Sequence, residues 1–382
     1  MADKFELIIP TLFGMEAFVS REVRRSGYET TSVEDGRVTF EGDHGAICRA
    51  NTWIRTGERV LVKIAEFKAA TFEELFEGVY AADWQEWLPK SAAFPVKGYS
   101  LKSQLASVPS CQAIIKKAIA KKLGSVYGAQ TLPEDGALYQ IQFSIMKDRA
   151  TIMLDTSGEP LHKRGYRRLS NAAPLRETIA AAMVTMSYWK FEQPFLDPFC
   201  GSGTIPIEAA MFKRNIAPGM NRSFAAEEFD VIDKGLWQKA REEARDSIHN
   251  VPLEIYASDI DPDCAALAAQ NAQNAGVGEF IKVSRRDARE VFIDKSSGTI
   301  ITNPPYGERM GDRRECERLY REIGKSFARL DNWAKYILVP NEDFEKLFGA
   351  KADKKRKLYN GMLKCTVYQY FSRYKNDKTR RR

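Results

Sequence analysis

Histidine is scarce in this sequence, with three among 382 residues. The six cysteines include no pair at the spacing of a zinc finger, and three histidines are too few to complete a zinc site. We therefore expect no bound metal. Thiols without a disulfide framework fit the reducing cytoplasm, so we expect a cytoplasmic protein. The cysteines are Cys48, Cys111, Cys200, Cys264, Cys316 and Cys365.

Long apolar runs are missing as well. No stretch reaches the roughly 20 apolar residues that a membrane-spanning helix needs. The first residues, MADKFELIIPTLFGMEAFVS, carry an early acid and lack the continuous apolar centre of a secretory signal. These absences predict a soluble protein without a membrane partner.

A large excess of one charge is also absent. The net charge is +7 and the isoelectric point is near 8.9, a mild basicity that favours polyanions, nucleic acid first. A hydrophobic content of 44% and an aromatic content of 11% are enough for packed cores and argue against wholesale disorder. A chain of this length suits two or three domains.

The first 156 residues alternate strand and helix patterns in two α+β blocks. Residues 1–66 follow the order βαββαβ, which predicts a ferredoxin-like subdomain. Residues 67–156 contain a long amphipathic helix whose Ile114, Ile115, Ala118 and Leu123 should face inward. Its outward lysines predict either RNA contacts or an ordinary solvated face. They are Lys116, Lys117, Lys121 and Lys122, and the first three are candidate RNA contacts.

Residues 157–174 predict a basic linker, because prolines bracket a segment with little periodicity. Its cations make it a candidate RNA path, although an ordinary charged linker would have the same composition. The candidate contacts are Lys163, Arg164, Arg167 and Arg168, and His162 adds a titratable group. The final basic residues, 376–382, are expected to be a disordered tail.

From residue 175 to 375 strands and helices alternate, which predicts a doubly wound, Rossmann-like α/β domain with a parallel sheet. Ligands of such sheets bind beyond the carboxyl ends of the strands. The segment from Lys213 to Pro252 lacks recognisable chemistry, and we expect it to add helices over the cofactor site.

The glycine turn DPFCGSGT, residues 197–204, joins the first strand of this domain to a helix. A dinucleotide fingerprint would need a third glycine where Pro206 stands. An acid at Asp197 repels phosphate and suits a ligand with a cationic amino group, so the turn favours S-adenosylmethionine over NAD. The candidate cofactor contacts are Asp197, Phe199, Gly201, Gly203 and Thr204.

Two more acids end the next strands. Asp259, with Asp261 as second choice, can accept hydrogen bonds from both ribose hydroxyls, and Ile260 would lie against the adenine. Asp287 can accept from the adenine amino group beside Ala288, or it can simply cap a helix.

The loop TNPPYGERM, residues 302–310, follows the apolar run GTII. An exocyclic amine is a poor nucleophile, because its lone pair is delocalised into the base. Two carbonyl acceptors, the Asn303 side chain and the Pro304 backbone, can make its nitrogen pyramidal, and the prolines would preorganise them. Tyr306 offers a face on which an extruded base can stack. We therefore predict Asn303, Pro304 and Tyr306 as catalytic residues, with Asn303 also near the cofactor.

DPFCGSGT together with NPPY resembles the class I methyltransferases that modify exocyclic amines. VKGYSLKSQLASVPSCQAIIKKAIAKKL in the first half resembles a THUMP domain, an RNA-binding module. LHKRGYR, NIAPGMNRSFAAEEFD and KRKLYNGMLKC make the chain most similar to the bacterial 23S rRNA guanine-N2 methyltransferases, in their form with one methyltransferase domain.

This resemblance implies a seven-stranded sheet whose last strand is antiparallel, S-adenosylmethionine as cofactor and N2-methylguanosine in large-subunit RNA as product. A tRNA guanine-N2 activity and an adenine-N6 activity remain alternatives, since the same loop serves both amines. A non-catalytic RNA-binding assembly factor that retains the fold is a further alternative.

Overall fold

The computed structural model describes residues 4–167, 174–190, 192–291, 293–307, 313–361 and 363–372. Two compact units make up the chain. The first contains Val19–Leu161 and Arg222–Glu243 together with the residues up to Thr11. The second contains Leu12–Phe18 and His162–Asn221 together with the residues from Ala244 onward. No helix among the described residues combines the length and apolar character needed to cross a membrane.

A single sheet runs through the first unit. Its strands are β1 (Phe5–Pro10), β2 (Thr30–Glu34), β3 (Arg37–Gly42), β4 (Leu61–Lys68), β5 (Val96–Leu101), β6 (Ile141–Met146) and β7 (Arg149–Asp155). Their order is β2-β3-β1-β4-β7-β6-β5. The two α+β blocks predicted from the sequence thus share one seven-stranded sheet, because β4 pairs antiparallel with β7 from Leu61↔Asp155 to Lys68↔Arg149.

The helices of the first half of the chain are α1 (Glu16–Arg25), α2 (His44–Trp53), α3 (Phe72–Tyr80) and α4 (Val108–Tyr127). The βαββαβ order of the ferredoxin-like subdomain is confirmed. Helix α4 begins at the cap residue Ser107 and ends at Gly128, whose φ of 60° suits glycine. Its buried side chains recur every three or four residues, and they are Cys111, Ile115, Ala118, Ile119 and Leu123.

The second unit contains the predicted doubly wound sheet. Its strands are β8 (Phe195–Asp197), β9 (Ile255–Asp259), β10 (Ile281–Arg285), β11 (Gly298–Thr302), β12 (Trp333–Val339), β13 (Lys354–Asn360) and β14 (Leu363–Tyr370). They lie in the order β10-β9-β8-β11-β12-β14-β13. Strands β8 to β12 are parallel, and β14 is antiparallel to both neighbours. This confirms the expected seven-stranded sheet with an antiparallel last strand.

The helices of the second half of the chain are α5 (Glu177–Met186), α6 (Thr204–Lys213), α7 (Lys234–Asp246), α8 (Pro262–Asn274), α9 (Arg313–Ala328) and α10 (Phe344–Phe348). All five residues of β11 are buried, as expected for a parallel strand that is covered on both faces. Ile301 belongs to one apolar cluster and Ile300 to another, so the sheet of the second unit separates two cores.

The segment between Lys213 and Pro252 forms the helix α7, as the sequence predicts. Its residues 222–243 belong to the first unit, and the expected cover over the cofactor site stays a prediction. Phe229 stacks on Tyr139 with ring centroids 4.2 Å apart, and Trp237 stacks on Phe224. These rings complete the first unit's core. The sequence shows an amphipathic helix but not which core receives its apolar face.

Candidate active site

The glycine turn after β8 is tightly built. Gly201 and Gly203 have φ values of 50° and 84°, which favour glycine. A Cβ atom at Gly203 would lie 3.1 Å from the Cα and Cβ atoms of Ala268 on helix α8. Glycine therefore permits both the backbone turn and the close approach of α8, and helix α6 begins directly afterwards at Thr204. The backbone donors at this helix start are oriented toward the carboxyl edge of the sheet.

Asp197 is the last residue of β8 and is only 1% exposed. Its Oδ1 atom accepts hydrogen bonds from Thr302 Oγ1 at 2.7 Å and from the Phe199 N–H at 3.2 Å. Its Oδ2 atom is buried and meets no hydrogen-bond partner among the described residues. Burial raises the pKa of this carboxyl to about 7. A cationic amino group placed at Oδ2 would both pair this oxygen and favour its charged form.

Asp259 joins the end of β9 to the glycine turn. Its Oδ2 atom accepts from the Gly201 N–H at 2.9 Å, and its Oδ1 atom accepts from the Asp261 N–H at 3.1 Å. Burial raises the pKa of Asp259. Each carboxylate oxygen keeps a further lone pair, so the predicted acceptance from ribose hydroxyls is compatible with these bonds. Asp261, the second choice, caps helix α8 by accepting from the Asp263 N–H.

Ile260 and Asp287 lie on the loops that follow β9 and β10. Ile260 is 54% exposed, as an apolar platform for a flat ring requires. Asp287 caps a short 3-10 turn by accepting from the Arg289 N–H, and its carboxylate also pairs with the Arg289 guanidinium. This ion pair lowers the pKa of Asp287. The capping alternative thus describes the geometry of Asp287, while a contact between Asp287, Ala288 and adenine stays a prediction.

The loop after β11 is held at three points. Thr302 at its start is fully buried and bonds to Asp197. Tyr320 on α9 donates its hydroxyl proton to the Pro305 carbonyl at 2.8 Å. The Tyr306 hydroxyl donates to Asn303 Oδ1, and Cys365 Sγ lies 3.9 Å from the same hydroxyl. The amide oxygen predicted to accept from a substrate amine is therefore oriented by Tyr306.

Two linker arginines have roles that the sequence did not indicate. Arg164 is 4% exposed, and its Nε lies 3.3 Å from Oε1 of the buried Glu208. Arg167 donates to Thr204 Oγ1 at 2.6 Å and pairs with Glu177 at 3.4 Å. The burial of Arg164 contradicts its prediction as an RNA contact, because burying a charge requires a partner and removes it from solvent.

The remaining predicted RNA contacts differ in exposure. Lys163 is exposed, whereas Arg168 and the basic tail lie outside the described residues. On helix α4, Lys117 is exposed, Lys116 pairs with Glu134 at 2.6 Å and Lys121 lies 5.5 Å from the Phe76 ring centroid. Contact between these lysines and RNA stays a prediction.

Thr302 and Glu177 contribute to this site without a sequence prediction, and Arg167, predicted as an RNA contact, contributes through Thr204. Thr302 is a polar residue at the carboxyl end of a strand, directly before the Asn303 loop, and that position was the available signal. Arg167 and Glu177 resemble ordinary linker and helix residues, because their pairing depends on the fold.

These features define the protein as a class I methyltransferase. The residues fit S-adenosylmethionine for two reasons. The glycine turn follows β8, at the topological switch point of the sheet between β8 and β11, where α/β sheets bind ligands. Asp197 Oδ2 is a buried acceptor suited to the cofactor's amino group. S-adenosylmethionine is therefore the cofactor. The Asn303 loop ends the strand adjacent to this turn.

Comparison with known proteins agrees with this class. Residues 164–369 match the RMKL-like methyltransferase domain family, residues 6–61 the RlmL ferredoxin-like domain and residues 69–155 the THUMP domain. The chain belongs to the RMKL-like methyltransferase family and carries a THUMP domain in its first unit.

Individual relatives extend this comparison. The chain is 48% identical to the Bacillus subtilis protein YpsC, named as a candidate RNA methyltransferase, over 97% of each chain. It is 34% identical to the ribosomal RNA large subunit methyltransferase K/L of Psychromonas ingrahamii over 95% of this chain, but it spans only 49% of that protein. The solved structure of SMU.472, a methyltransferase complexed with S-adenosylhomocysteine, is 43% identical, with a TM-score of 0.93 and coverage of 98% and 99%.

Proposed function

We propose that this protein methylates the exocyclic N2 amine of a guanine in 23S rRNA. The observation that carries the proposal is the loop Asn303–Tyr306 at the end of β11, next to the buried carboxylate of Asp197. An amide oxygen and a preorganised turn suit an amine nucleophile, which needs acceptors for its hydrogens more than it needs a strong base.

The reaction transfers a methyl group from the cofactor's sulfonium to the amine nitrogen. The nitrogen lone pair forms the new N–C bond while the C–S bond breaks, which leaves S-adenosylhomocysteine, and the nitrogen then loses a proton to solvent. The Asn303 Oδ1 atom, now bonded to Tyr306, would accept one amine hydrogen when the base displaces that hydroxyl. The Tyr306 ring would then remain as the stacking face for the extruded base.

Three observations support RNA as the substrate. The first unit carries a THUMP domain, and both YpsC and the K/L protein are named for RNA methylation. The net charge of +7 is compatible with a polyanion. We assign RNA binding to the first unit. The proposed domain limits are 1–66 for the ferredoxin-like subdomain, 67–156 for the THUMP domain, 157–174 for the linker and 175–375 for the methyltransferase domain. Because the chain spans about half of the K/L proteins, their large-subunit substrate enters only as a proposal.

The first test is methyl transfer from labelled S-adenosylmethionine to unmodified 23S rRNA and to bulk tRNA, followed by nucleoside analysis. We expect label in N2-methylguanosine from rRNA. Label in tRNA alone would overturn the rRNA assignment, and label in N6-methyladenosine would overturn the choice of base.

Asn303→Ala provides the matched variant. Loss of one preorganised acceptor should lower kcat by about 10² to 10³ at saturating cofactor. Asn341→Ala is the control, since Asn341 lies outside the loop and its Oδ1 atom accepts from the Asp343 N–H at 2.8 Å. An intact wild-type protein that binds cofactor without labelling either RNA would favour the non-catalytic assembly factor.

A further inference from the structure

An exposed aromatic pair lies at the edge of the second unit's sheet. Phe13 is 51% exposed, and its ring meets the Tyr359 ring edge-on with centroids 5.8 Å apart. The loop that carries Phe13 is fixed on β13. Gly14 has a φ of 87°, a Cβ atom there would lie 3.0 Å from the Lys357 carbonyl oxygen, and Arg356 donates to the Gly14 carbonyl at 2.6 Å. The ring is therefore presented at this edge by a fixed loop.

The hairpin that carries Tyr359 extends past the parallel strands on the side of the catalytic loop. β12 pairs with β14 up to Val339↔Thr366, so the start of β14 projects beyond the carboxyl end of β12. Cys365 in this projection lies 3.9 Å from the Tyr306 hydroxyl. In the register of β13 and β14, Cys365 lies opposite Leu358, the residue before Tyr359. The backbone of Tyr359 is thus one residue and one strand spacing, about 5 Å, from Cys365. Because side chains alternate along a strand, the Tyr359 ring lies on the face of this edge hairpin opposite to Leu358 and Cys365.

The charges around Tyr359 indicate what this surface would bind. Lys364 is directly opposite Tyr359 in the β13–β14 register, and Lys357 precedes Tyr359 by two residues on the same side of the strand. Both lysines are exposed, and the ion pair of Lys364 is a surface pair with the exposed Glu342. Aromatic rings flanked by cations are the combination that binds single-stranded nucleic acid. A protein partner would instead favour an apolar patch poor in lysine.

We propose that Phe13 and Tyr359 form a stacking platform for a nucleotide next to the target base, with Lys357 and Lys364 contacting its phosphates. This inference rests on the proposed function, since it requires an RNA whose target base enters beside Tyr306. The platform adds a contact by the methyltransferase unit itself. It would hold the strand on which the extruded base is carried.

The test measures binding of a fluorescein-labelled single-stranded RNA of mixed sequence to the full-length protein saturated with S-adenosylhomocysteine. We expect Phe13→Ala and Tyr359→Ala each to weaken RNA binding about tenfold, the effect of losing one stacked base. Tyr359→Trp should restore binding. Unchanged affinity for S-adenosylhomocysteine would show that each variant is folded.

Tyr188→Ala is the matched control. Tyr188 is 59% exposed and forms another edge-on pair, with Phe371, also with centroids 5.8 Å apart. Phe371 follows the last residue of β14, whereas Tyr359 lies opposite Lys364 near the start of β14. The control pair is therefore at the other end of this strand. If the Phe13 and Tyr359 variants bind RNA as tightly as the Tyr188 variant, the platform is refuted, including when the surface instead serves a protein.

The KM for RNA in the methylation reaction separates this inference from the proposed function. A wild-type protein that yields no N2-methylguanosine, but whose RNA binding still depends on Phe13 and Tyr359, would overturn the reaction and keep the platform. Normal methylation with an unchanged KM in both variants would overturn the platform and keep the reaction.

Discussion

The two units bury their sheets in different ways. In the first, the main core lies on one face of the sheet, and the described residues of the other face include the small buried cluster of Ile8, Leu61 and Met153. In the second, apolar clusters cover both faces, so access is concentrated at the carboxyl edge. A ligand of the second unit must therefore meet loops, whereas a ligand of the first can bind a broad surface.

This difference predicts two kinds of mutational effect. Substitutions in the second unit's loops should act on cofactor affinity or on methyl transfer, because Asp197, Asp259 and Thr302 are held in place by hydrogen bonds. Substitutions on the first unit's surface should act weakly on RNA affinity, because contacts there are distributed.

Gly203→Ala should weaken binding of S-adenosylhomocysteine by about tenfold to a hundredfold, because the new Cβ atom meets Ala268 and the φ of 84° becomes strained. Isothermal titration calorimetry measures this change. Gly276→Ala is the control, since its φ of 70° gives similar strain while its Cβ atom meets nothing within 4 Å. Equal losses in both variants would contradict the role assigned to the close approach of α8.

Tyr306→Ala should raise the KM for RNA about tenfold through lost stacking. Tyr306→Phe keeps the ring and removes the hydroxyl that now occupies Asn303 Oδ1. We expect the phenylalanine variant to keep a near wild-type KM, as steady-state kinetics with saturating cofactor would show. A phenylalanine variant as impaired as the alanine variant would mean that the hydroxyl, rather than the ring, is required.

Asp197→Asn should weaken S-adenosylhomocysteine binding about tenfold, the effect of losing one charge-assisted hydrogen bond. In the wild type, affinity should rise between pH 5 and about 7 as Asp197 ionises, and then level off. The asparagine variant should lose most of this rise when titrated calorimetrically across that range. Asp259→Asn must be measured alongside, because burial raises the pKa of Asp259 as well.

The same carboxyl predicts how the stability of the cofactor-free protein depends on pH. Its pKa is raised from 3.8 to about 7, so the unfolded state releases this proton first as pH rises. The contribution of Asp197 to stability is therefore fully present below about pH 4 and is lost as pH rises to about 7. Asp197→Asn should remove this fall, which denaturant unfolding at several pH values would reveal as a smaller difference between acid and neutral pH.

Arg167→Gln should weaken S-adenosylhomocysteine binding about fivefold and leave RNA affinity almost unchanged, because Arg167 holds Thr204 at the start of α6. Arg167→Lys should restore part of the loss, since it keeps the charge near Glu177. The opposite pattern, weak RNA binding with normal cofactor binding, would support the prediction that Arg167 contacts RNA.

Lys117→Ala should have the smallest effect, a loss of RNA affinity of about threefold with a salt dependence reduced by about one phosphate contact. Fluorescence anisotropy at several salt concentrations measures both. Lys116→Ala is the comparison, because its ammonium already pairs with Glu134. A tenfold loss at Lys117 would mean that RNA contacts of the first unit are concentrated rather than distributed.

Much of the second unit could be predicted because its motifs are local. DPFCGSGT carries its turn, its acid and its helix start in eight consecutive residues, and the structure places them at β8 and α6 as expected. The alternation of apolar strand segments with helix segments likewise predicts the parallel sheet. Arg164 could not be predicted correctly, because its partner Glu208 is 44 residues away and a buried cation has the same sequence appearance as an exposed one.

The sequence by itself determined the order of strands and helices and the glycine turn after β8, and it predicts the chemistry of the Asn303 loop, since each depends on residues close together in the chain. Only the tertiary structure decided that two α+β blocks share one sheet, that residues 222–243 complete the first unit's core, and that Arg167 holds Thr204. The physical reason is that strand pairing, burial and ion pairing depend on which distant residues meet, and local patterns do not specify that choice.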